Sequence, residues 1–141
     1  MLLWSYCVSA DCFDKAGRDY RIDPDLLRAI AWHESKHNTE AIGKNKDGTV
    51  DIGIMQINSR NFHHLEEFGI TQQHLKKDPC INIYTGAYYL AIAFKKMGTN
   101  WQAVGAYNAG FKASKKQSQR RYEYARKIEK IYQIIKKPYK I

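Results

Sequence analysis

Apolar residues recur at helical spacing through most of this chain, and short polar stretches separate the apolar segments. Two segments begin with Asp-Pro, a capping residue followed by the residue best suited to the first helical position. These pairs, Asp23-Pro24 and Asp78-Pro79, predict helices that run to about Lys36 and Met97. Further helices are predicted over residues 12–20, 59–68, 71–77, 100–108 and 114–136.

Residues 41–53 favour strands instead. Lys46-Asp47-Gly48 is a turn signal, and the alternating residues 49–52 follow it directly. We therefore expect a small β-hairpin after the helix that ends near Lys36. The predicted fold class is mostly α-helical (α+β), with this hairpin as its β-structure.

Length and composition suit one folded domain. The chain has 141 residues, of which 44% are hydrophobic, enough for a single core. No apolar run approaches the roughly 20 residues needed to span a bilayer, so no transmembrane segment is expected.

The first ten residues are apolar and end in Val8-Ser9-Ala10, a small-residue pattern typical of signal-peptidase sites. Residues 1–10 are therefore interpreted as a signal-peptide remnant, although they are short and lack a basic start. Residues 11–141 would then be the mature domain, and we expect it in the periplasm. Cleavage there would leave Cys12 and Cys80, which an oxidising compartment would join in a disulfide. The alternative is a retained segment with three free thiols.

The formal charge of +9 is confined to one end of the chain. Residues 112–141 hold 11 Lys and Arg against 2 Asp and Glu, whereas residues 1–111 hold 12 of each. The last predicted helix is therefore basic, either as a solvated face or as a surface that attracts polyanions. No nucleic-acid recognition motif accompanies it, so nucleic acid is not an expected partner.

Glu34 is the main candidate for chemistry. It shares a predicted helix face with the apolar Leu27, Ile30 and Ala31, where partial burial raises the pKa of a carboxyl. A raised pKa suits a general acid.

The segment His33-Glu34-Ser35-Lys36-His37 also matches the H-E-x-x-H pattern of zinc proteases. On a helix the two histidines would share a face, as metal ligands require. A third ligand with a supporting motif is lacking, so a zinc protease remains only an alternative and no metal or cofactor is expected.

Glycoside cleavage commonly uses a second carboxylate or an equivalent group on the other side of the bond, and Asp51 in the predicted hairpin is the best-placed candidate. Gln56 and Asn58 follow it, and amides suit the hydroxyl and N-acetyl groups of amino sugars. Near the end of the sixth predicted helix, Tyr107 and Asn108 follow a run of small residues that permits close approach.

Together these segments resemble the family-1 lytic transglycosylases, whose fold resembles goose-type lysozyme. The matching segments are Glu34-Ser35, Gly53-Ile54-Met55-Gln56-Ile57-Asn58, Ala106-Tyr107-Asn108-Ala109-Gly110 and Tyr124-Ala125-Arg126-Lys127-Ile128. They occur in order and span nearly the whole chain. Cys12-Phe13-Asp14-Lys15-Ala16 and Asp78-Pro79-Cys80 look most like the small invasion- and conjugation-associated subgroup.

The resemblance implies that Glu34 cleaves the bond between N-acetylmuramic acid and N-acetylglucosamine in peptidoglycan, leaving 1,6-anhydro ends. Tyr124 would orient Glu34 through its hydroxyl. The remaining implied groove residues are Ser35, Met55, Gln56, Asn58, Tyr107 and Asn108. The subgroup implies local wall opening for a secretion, pilus or conjugation apparatus.

Two departures leave alternatives open. Lys36 stands where the family often has a small residue. Asp51 resembles the second carboxylate of animal-type lysozymes, so water could replace the internal hydroxyl and make the protein a hydrolase. A non-catalytic wall-binding module that uses the basic helix is the remaining possibility.

Overall fold

The computed structural model describes residues 8–138 and confirms a mostly helical fold with a small sheet. The helices are α1 (Val8–Tyr20), α2 (Pro24–Ser35), α3 (Phe62–Glu66), α4 (Gln72–Lys77), α5 (Pro79–Met97), α6 (Trp101–Ala109) and α7 (Lys115–Lys136). The strands are β1 (Ile42–Lys44), β2 (Val50–Ile52) and β3 (Ile57–Asn58), and a 3₁₀ turn (Ser59–Asn61) follows them.

Both Asp-Pro pairs begin helices as predicted. The Asp23 carboxylate accepts a hydrogen bond from the Asp25 backbone N–H at 2.9 Å, which satisfies a donor at the start of α2. The Asp78 carboxylate accepts from two backbone N–H groups at the start of α5, at 2.9 and 3.1 Å. These local caps fix where the two central helices begin.

The sheet has one strand more than the predicted hairpin. The β1 and β2 strands pair antiparallel as expected, and β3 adds to the other side of β2 with Asn58 opposite Asp51. The short connection from β2 to β3 requires left-handed backbone at Gly53 (φ 79°) and Gln56 (φ 53°). This turn brings the Asp51 and Asn58 side chains together.

The core lies where α1, α2 and α5 meet the inner side of the sheet. Its largest fully buried side chains include Phe13, Leu27, Ile30, Ile54, Ile83 and Leu90. A disulfide between Cys12 and Cys80 joins α1 to the start of α5 with a Cα–Cα distance of 5.4 Å, which confirms the predicted pairing.

Helix α7 packs along α2 in the opposite direction. Near its middle, Tyr124 contacts Glu34 close to the end of α2, and near its end Lys136 lies 2.9 Å from Asp23 at the start of α2. On its predicted apolar face, Tyr124 and Ile128 are buried, whereas Ile135 is exposed.

Helices α6 and α7 approach closely at Gly105. A Cβ atom on this glycine would lie 2.2 Å from the backbone carbonyl oxygen of Arg121, so only glycine fits. This close approach lets the first half of α7 pack directly on α6.

The predicted signal-peptide remnant, residues 1–10, lies mostly outside the described residues, and helix α1 begins at Val8 within it. Among the described residues, no helix combines the length and the apolar character needed to cross a membrane.

Candidate active site

Glu34 lies in the last turn of α2, where α7 packs against it. Its Oε2 atom accepts a hydrogen bond of 2.5 Å from the Tyr124 hydroxyl. Tyr124 is 5% exposed, so this hydrogen bond is shielded from water. The contact is the one that the resemblance implied, and it holds the carboxyl of Glu34 in one orientation.

Burial raises the pKa of Glu34 to about 7, because the apolar surroundings disfavour the charged form. The hydrogen bond from Tyr124 acts in the opposite direction and lowers the pKa, while the charge of Asp51 raises it. Near neutral pH the side chain is therefore poised between acid and carboxylate. That balance is what a group needs to give a proton and take one back.

Asp51 is held in β2 by two amide side chains. Its Oδ2 atom accepts from Asn45 Nδ2 and its Oδ1 atom accepts from Asn58 Nδ2, both at 2.9 Å. Asn58 is itself fixed because its Oδ1 atom accepts from the Arg60 backbone N–H at 2.9 Å. The carboxylate that the sequence indicated therefore lies in the same groove as Glu34, in a fixed orientation.

Gln56 and Tyr107 line this groove, but their polar atoms form hydrogen bonds within the protein. Gln56 Nε2 donates to the backbone carbonyls of Gly53 and Ala41 at 3.0 and 3.2 Å. The Tyr107 hydroxyl donates to the Met55 carbonyl at 2.8 Å, and burial, followed by the charges of Glu34 and Asp51, raises its pKa well above the usual value. Both side chains therefore hold the β2–β3 connection in position.

Two residues that the resemblance assigned to the groove are not among the residues that line it. Met55 is fully buried and packs against Gly86 of α5, where a Cβ atom would lie 2.6 Å from the Met55 Cε atom. Ser35 donates its hydroxyl to the Ile54 carbonyl at 2.8 Å and ties α2 to the turn after β2. In the structure these two residues support the turn that carries the groove residues, and contact of their side chains with a ligand stays a prediction.

The groove has a volume of about 1040 Å³ and separates the sheet from the helices. Glu34 and Asp51 lie in it together with the exposed Asn108 at the end of α6. Of the predicted groove residues, the structure therefore brings Asp51, Gln56, Asn58, Tyr107 and Asn108 to one surface with Glu34.

The geometry contradicts the premise of the zinc alternative. Helix α2 ends at Ser35, and both Lys36 and His37 have left-handed backbone, with φ of 55° and 61°. His33 and His37 therefore do not share a helical face. His33 packs on the Tyr124 ring, and His37 Nε2 lies 3.0 Å from the Arg28 carbonyl. The described residues contain no group of three or more His, Cys, Asp or Glu arranged to hold a metal ion.

Sequence reasoning missed the polar residues of α5. The buried Asn82 accepts from the Met55 backbone N–H at 2.9 Å and donates to the carbonyls of Ile52 and Leu75. An asparagine within an otherwise apolar helix face was the available signal. Tyr89 and Lys96 of the same helix line the groove, and no local pattern indicated that.

Comparison with known proteins places these features in a family. The family model described as "Transglycosylase SLT domain" matches residues 11–130, most of the chain. This chain belongs to the SLT transglycosylase family. Its enzyme class is therefore lytic transglycosylase.

The SLT match agrees with the relatives found by sequence. The X polypeptide of Escherichia coli is 57% identical over 136 residues, which cover 96% of this chain and 80% of that protein. Invasion protein IagB of Salmonella typhimurium is 42% identical over 139 residues, which cover 96% of this chain and 86% of the relative. Protein IpgF of Shigella flexneri is 42% identical over 123 residues, which cover 87% and 80%.

A solved structure supports the fold. An inactive mutant of the lytic transglycosylase Slt from Pseudomonas aeruginosa matches with a TM-score of 0.67 at 20% sequence identity. The match covers 91% of this chain and 24% of Slt, so the chain corresponds to about a quarter of that protein. The lysozyme-like fold that the resemblance implied is thus confirmed.

Proposed function

We propose that this SLT-family chain cleaves the β-1,4 bond between N-acetylmuramic acid and N-acetylglucosamine in peptidoglycan and leaves 1,6-anhydro ends. The observation that carries the proposal is the state of Glu34, a groove carboxyl whose pKa of about 7 comes from burial. A carboxyl with that pKa is protonated often enough near neutrality to act as the acid.

In the first step Glu34 donates its proton to the glycosidic oxygen, and the bond from that oxygen to C1 of the muramic sugar breaks. Because Tyr124 occupies Oε2, the transferable proton is assigned to Oε1. Positive charge develops at C1, and the carboxylate left on Glu34 stabilises it. The Tyr124 hydrogen bond stabilises that carboxylate in turn.

In the second step the carboxylate of Glu34 takes the proton from the C6 hydroxyl of the same muramic sugar. The C6 oxygen bonds to C1 and closes the anhydro ring without a water molecule. Glu34 returns to its protonated form, ready for another cycle. One group thus serves as acid and then as base.

Asp51 supports a second candidate function, hydrolysis by a lysozyme-like route. Its carboxylate lies in the groove, is held by Asn45 and Asn58, and acts electrostatically on Glu34. A carboxylate in that position can orient a water molecule toward C1. Replacing Asp51 with asparagine tests this candidate through the products. Loss of the Asp51 charge also lowers the pKa of Glu34 in either route, but only the formation of reducing ends should be abolished.

The proposed function is tested by measuring the soluble muropeptides that the unmodified protein and the Glu34→Gln variant each release from purified peptidoglycan. The unmodified protein should release them, whereas the variant should release none while keeping its circular-dichroism spectrum and wall binding. Activity should survive a chelator. Full activity of Glu34→Gln would contradict the assignment of Glu34 as the acid. Loss of activity in the presence of a chelator would indicate that the reaction depends on a metal ion. Wall binding without soluble products would favour a non-catalytic binding module.

We also propose that residues 11–141 act as one mature domain in the periplasm, opening the wall locally for a secretion, pilus or conjugation apparatus. The Cys12–Cys80 disulfide suits an oxidising compartment, and one relative is named an invasion protein. Cross-linking in cells should capture envelope-assembly proteins. Capture of wall fragments alone would contradict the partner assignment.

A further inference from the structure

One wall of the groove consists of side chains from a single face of α5. Tyr89, Ile92 and Lys96 are spaced three and four residues apart, so they lie along one line of the helix. Phe111 and Arg120 continue this wall beyond α5. The mechanism above uses none of these five side chains.

Tyr89 carries an unused hydrogen-bonding group in this wall. Its hydroxyl oxygen is buried, and it is the one buried side-chain polar atom within residues 8–138 that lacks a hydrogen-bond partner. Burial, followed by the neighbouring Tyr88, raises the pKa of Tyr89 to about 12, so the hydroxyl stays protonated and can donate. A buried hydroxyl without a partner is costly, so this group is suited to an acceptor that arrives with the substrate.

The cations of the groove differ in how they are neutralised. Arg60 pairs with Asp47 on the sheet side. Lys96 and Arg120, on the helical side, form no ion pair within the described part of the chain, and neither does Lys46 in the β1–β2 turn. The carboxylates of the groove, Glu34, Asp47 and Asp51, form no ion pair with Lys96 or Arg120, so the helical side keeps two cations that are not neutralised within the described residues.

The helical-side cations are held at defined places. The Lys96 Nζ atom lies 4.4 Å from the centre of the Phe111 ring, a cation–π contact that keeps the ammonium at the wall. Arg120 Nη1 donates to Gln117 Oε1 at 3.2 Å, which leaves the rest of its guanidinium free to bind another acceptor. Both groups can still bind an anion.

The chemistry of the strand limits which anion this wall can meet. A backbone of N-acetylated sugars offers hydroxyl and acetamido groups but no ionisable group. In peptidoglycan, carboxylates occur only in the substituent on the muramic sugar, the lactyl group and its peptide stem. A cationic wall in the same groove as Glu34 therefore matches that substituent.

We propose that the wall formed by Tyr89, Lys96 and Arg120 binds the acidic peptide stem of the muramic sugar, so that the enzyme selects strands that carry anionic stems. This inference rests on the proposed function. Lys96 and Arg120 bind the stem carboxylates, and Tyr89 donates to a carbonyl oxygen of the same substituent.

The test compares two forms of one substrate, soluble glycan strands with intact stems and the same strands after their carboxylates are converted to amides. The measured quantity is the ratio of kcat/KM on the two forms. For the unmodified protein we expect a ratio of about 5 to 20, because each exposed ion pair is worth up to about fivefold. The double variant Lys96→Gln/Arg120→Gln should bring the ratio close to one.

The matched control is Lys95→Gln/Lys116→Gln, which removes the same charge from exposed positions of the same two helices outside the groove. It should keep the ratio of the unmodified protein. A ratio near one for the unmodified protein, an unchanged ratio in the groove variant, or an equal fall in the control would each overturn the inference. Products from both substrates at equal rates would leave the proposed function intact, whereas no product from either would overturn both.

Discussion

Replacing Glu34 with glutamine should change how the free energy of unfolding depends on pH. The folded protein holds the Glu34 proton with a pKa of about 7, against an ordinary value of 4.5. The folded state therefore binds the proton more tightly, and this contributes stability that is fully present below pH 4.5. The contribution is lost as pH rises through 7, because the charged form is disfavoured by burial.

The size of the effect follows from the same two pKa values. The interval from 4.5 to about 7, at about 1.36 kcal/mol per unit, corresponds to about 3 kcal/mol between acid and mildly alkaline conditions. Glutamine has nearly the same shape but no ionisable proton. Relative to the unmodified protein, the variant should therefore gain about 3 kcal/mol of stability between pH 4 and pH 8.

The assay is urea denaturation of both proteins between pH 4 and pH 8, with unfolding monitored by tryptophan fluorescence. The matched control is Glu66→Gln, the same change at an exposed position of α3, against which the effect of burial is measured. A stability difference between Glu34→Gln and the unmodified protein that does not vary with pH would refute the reasoning. It would show that Glu34 is not buried strongly enough to act as the acid.

Tyr124→Phe removes the hydrogen bond that lowers the pKa of Glu34. The alkaline limb of the plot of kcat/KM against pH should therefore shift to higher pH by about 1 to 2 units, and an unchanged limb would contradict this role of Tyr124. Gly105→Ala should lower the free energy of unfolding by about 1 to 3 kcal/mol in thermal melts, because its Cβ would collide with α7. Cys12→Ser should lower it by about 2 to 5 kcal/mol, and quantitative labelling of this thiol in exported, unreduced protein would contradict the disulfide.

The features that sequence predicted best are set by neighbouring residues. The helices that begin at Asp23-Pro24 and Asp78-Pro79 depend on caps two or three residues away, and both begin where predicted. Glu34 was identified because its apolar neighbours repeat at helical spacing. Burial on that face is what raises its pKa in the structure.

The features that sequence missed depend on distant partners. Strand β3 has only two residues, and it is defined by pairing with β2, in which Asn58 lies opposite Asp51. The zinc premise was wrong because α2 ends at Ser35, one residue earlier than predicted, and the chain then turns through left-handed backbone. The wall that includes Tyr89 could not be seen, because only the packed fold brings α5 beside the sheet.

The motif residues Ser35 and Met55 illustrate a third limit. A motif indicates that residues belong near a site but does not say which atoms face the ligand. In the structure Met55 contributes its backbone carbonyl to Tyr107, and Ser35 contributes a hydroxyl to the Ile54 carbonyl. These two hydrogen bonds hold the turn between β2 and β3 against α6 and α2.

The most direct test of the central account is to run the reaction with peptidoglycan in water labelled with heavy oxygen and to weigh the new muramic ends. If Glu34 acts as acid and then as base on the internal hydroxyl, the ends will be one water lighter than reducing ends and will carry no label. Reducing ends that carry the heavy oxygen at C1 would contradict that mechanism and assign the reaction to hydrolysis assisted by Asp51.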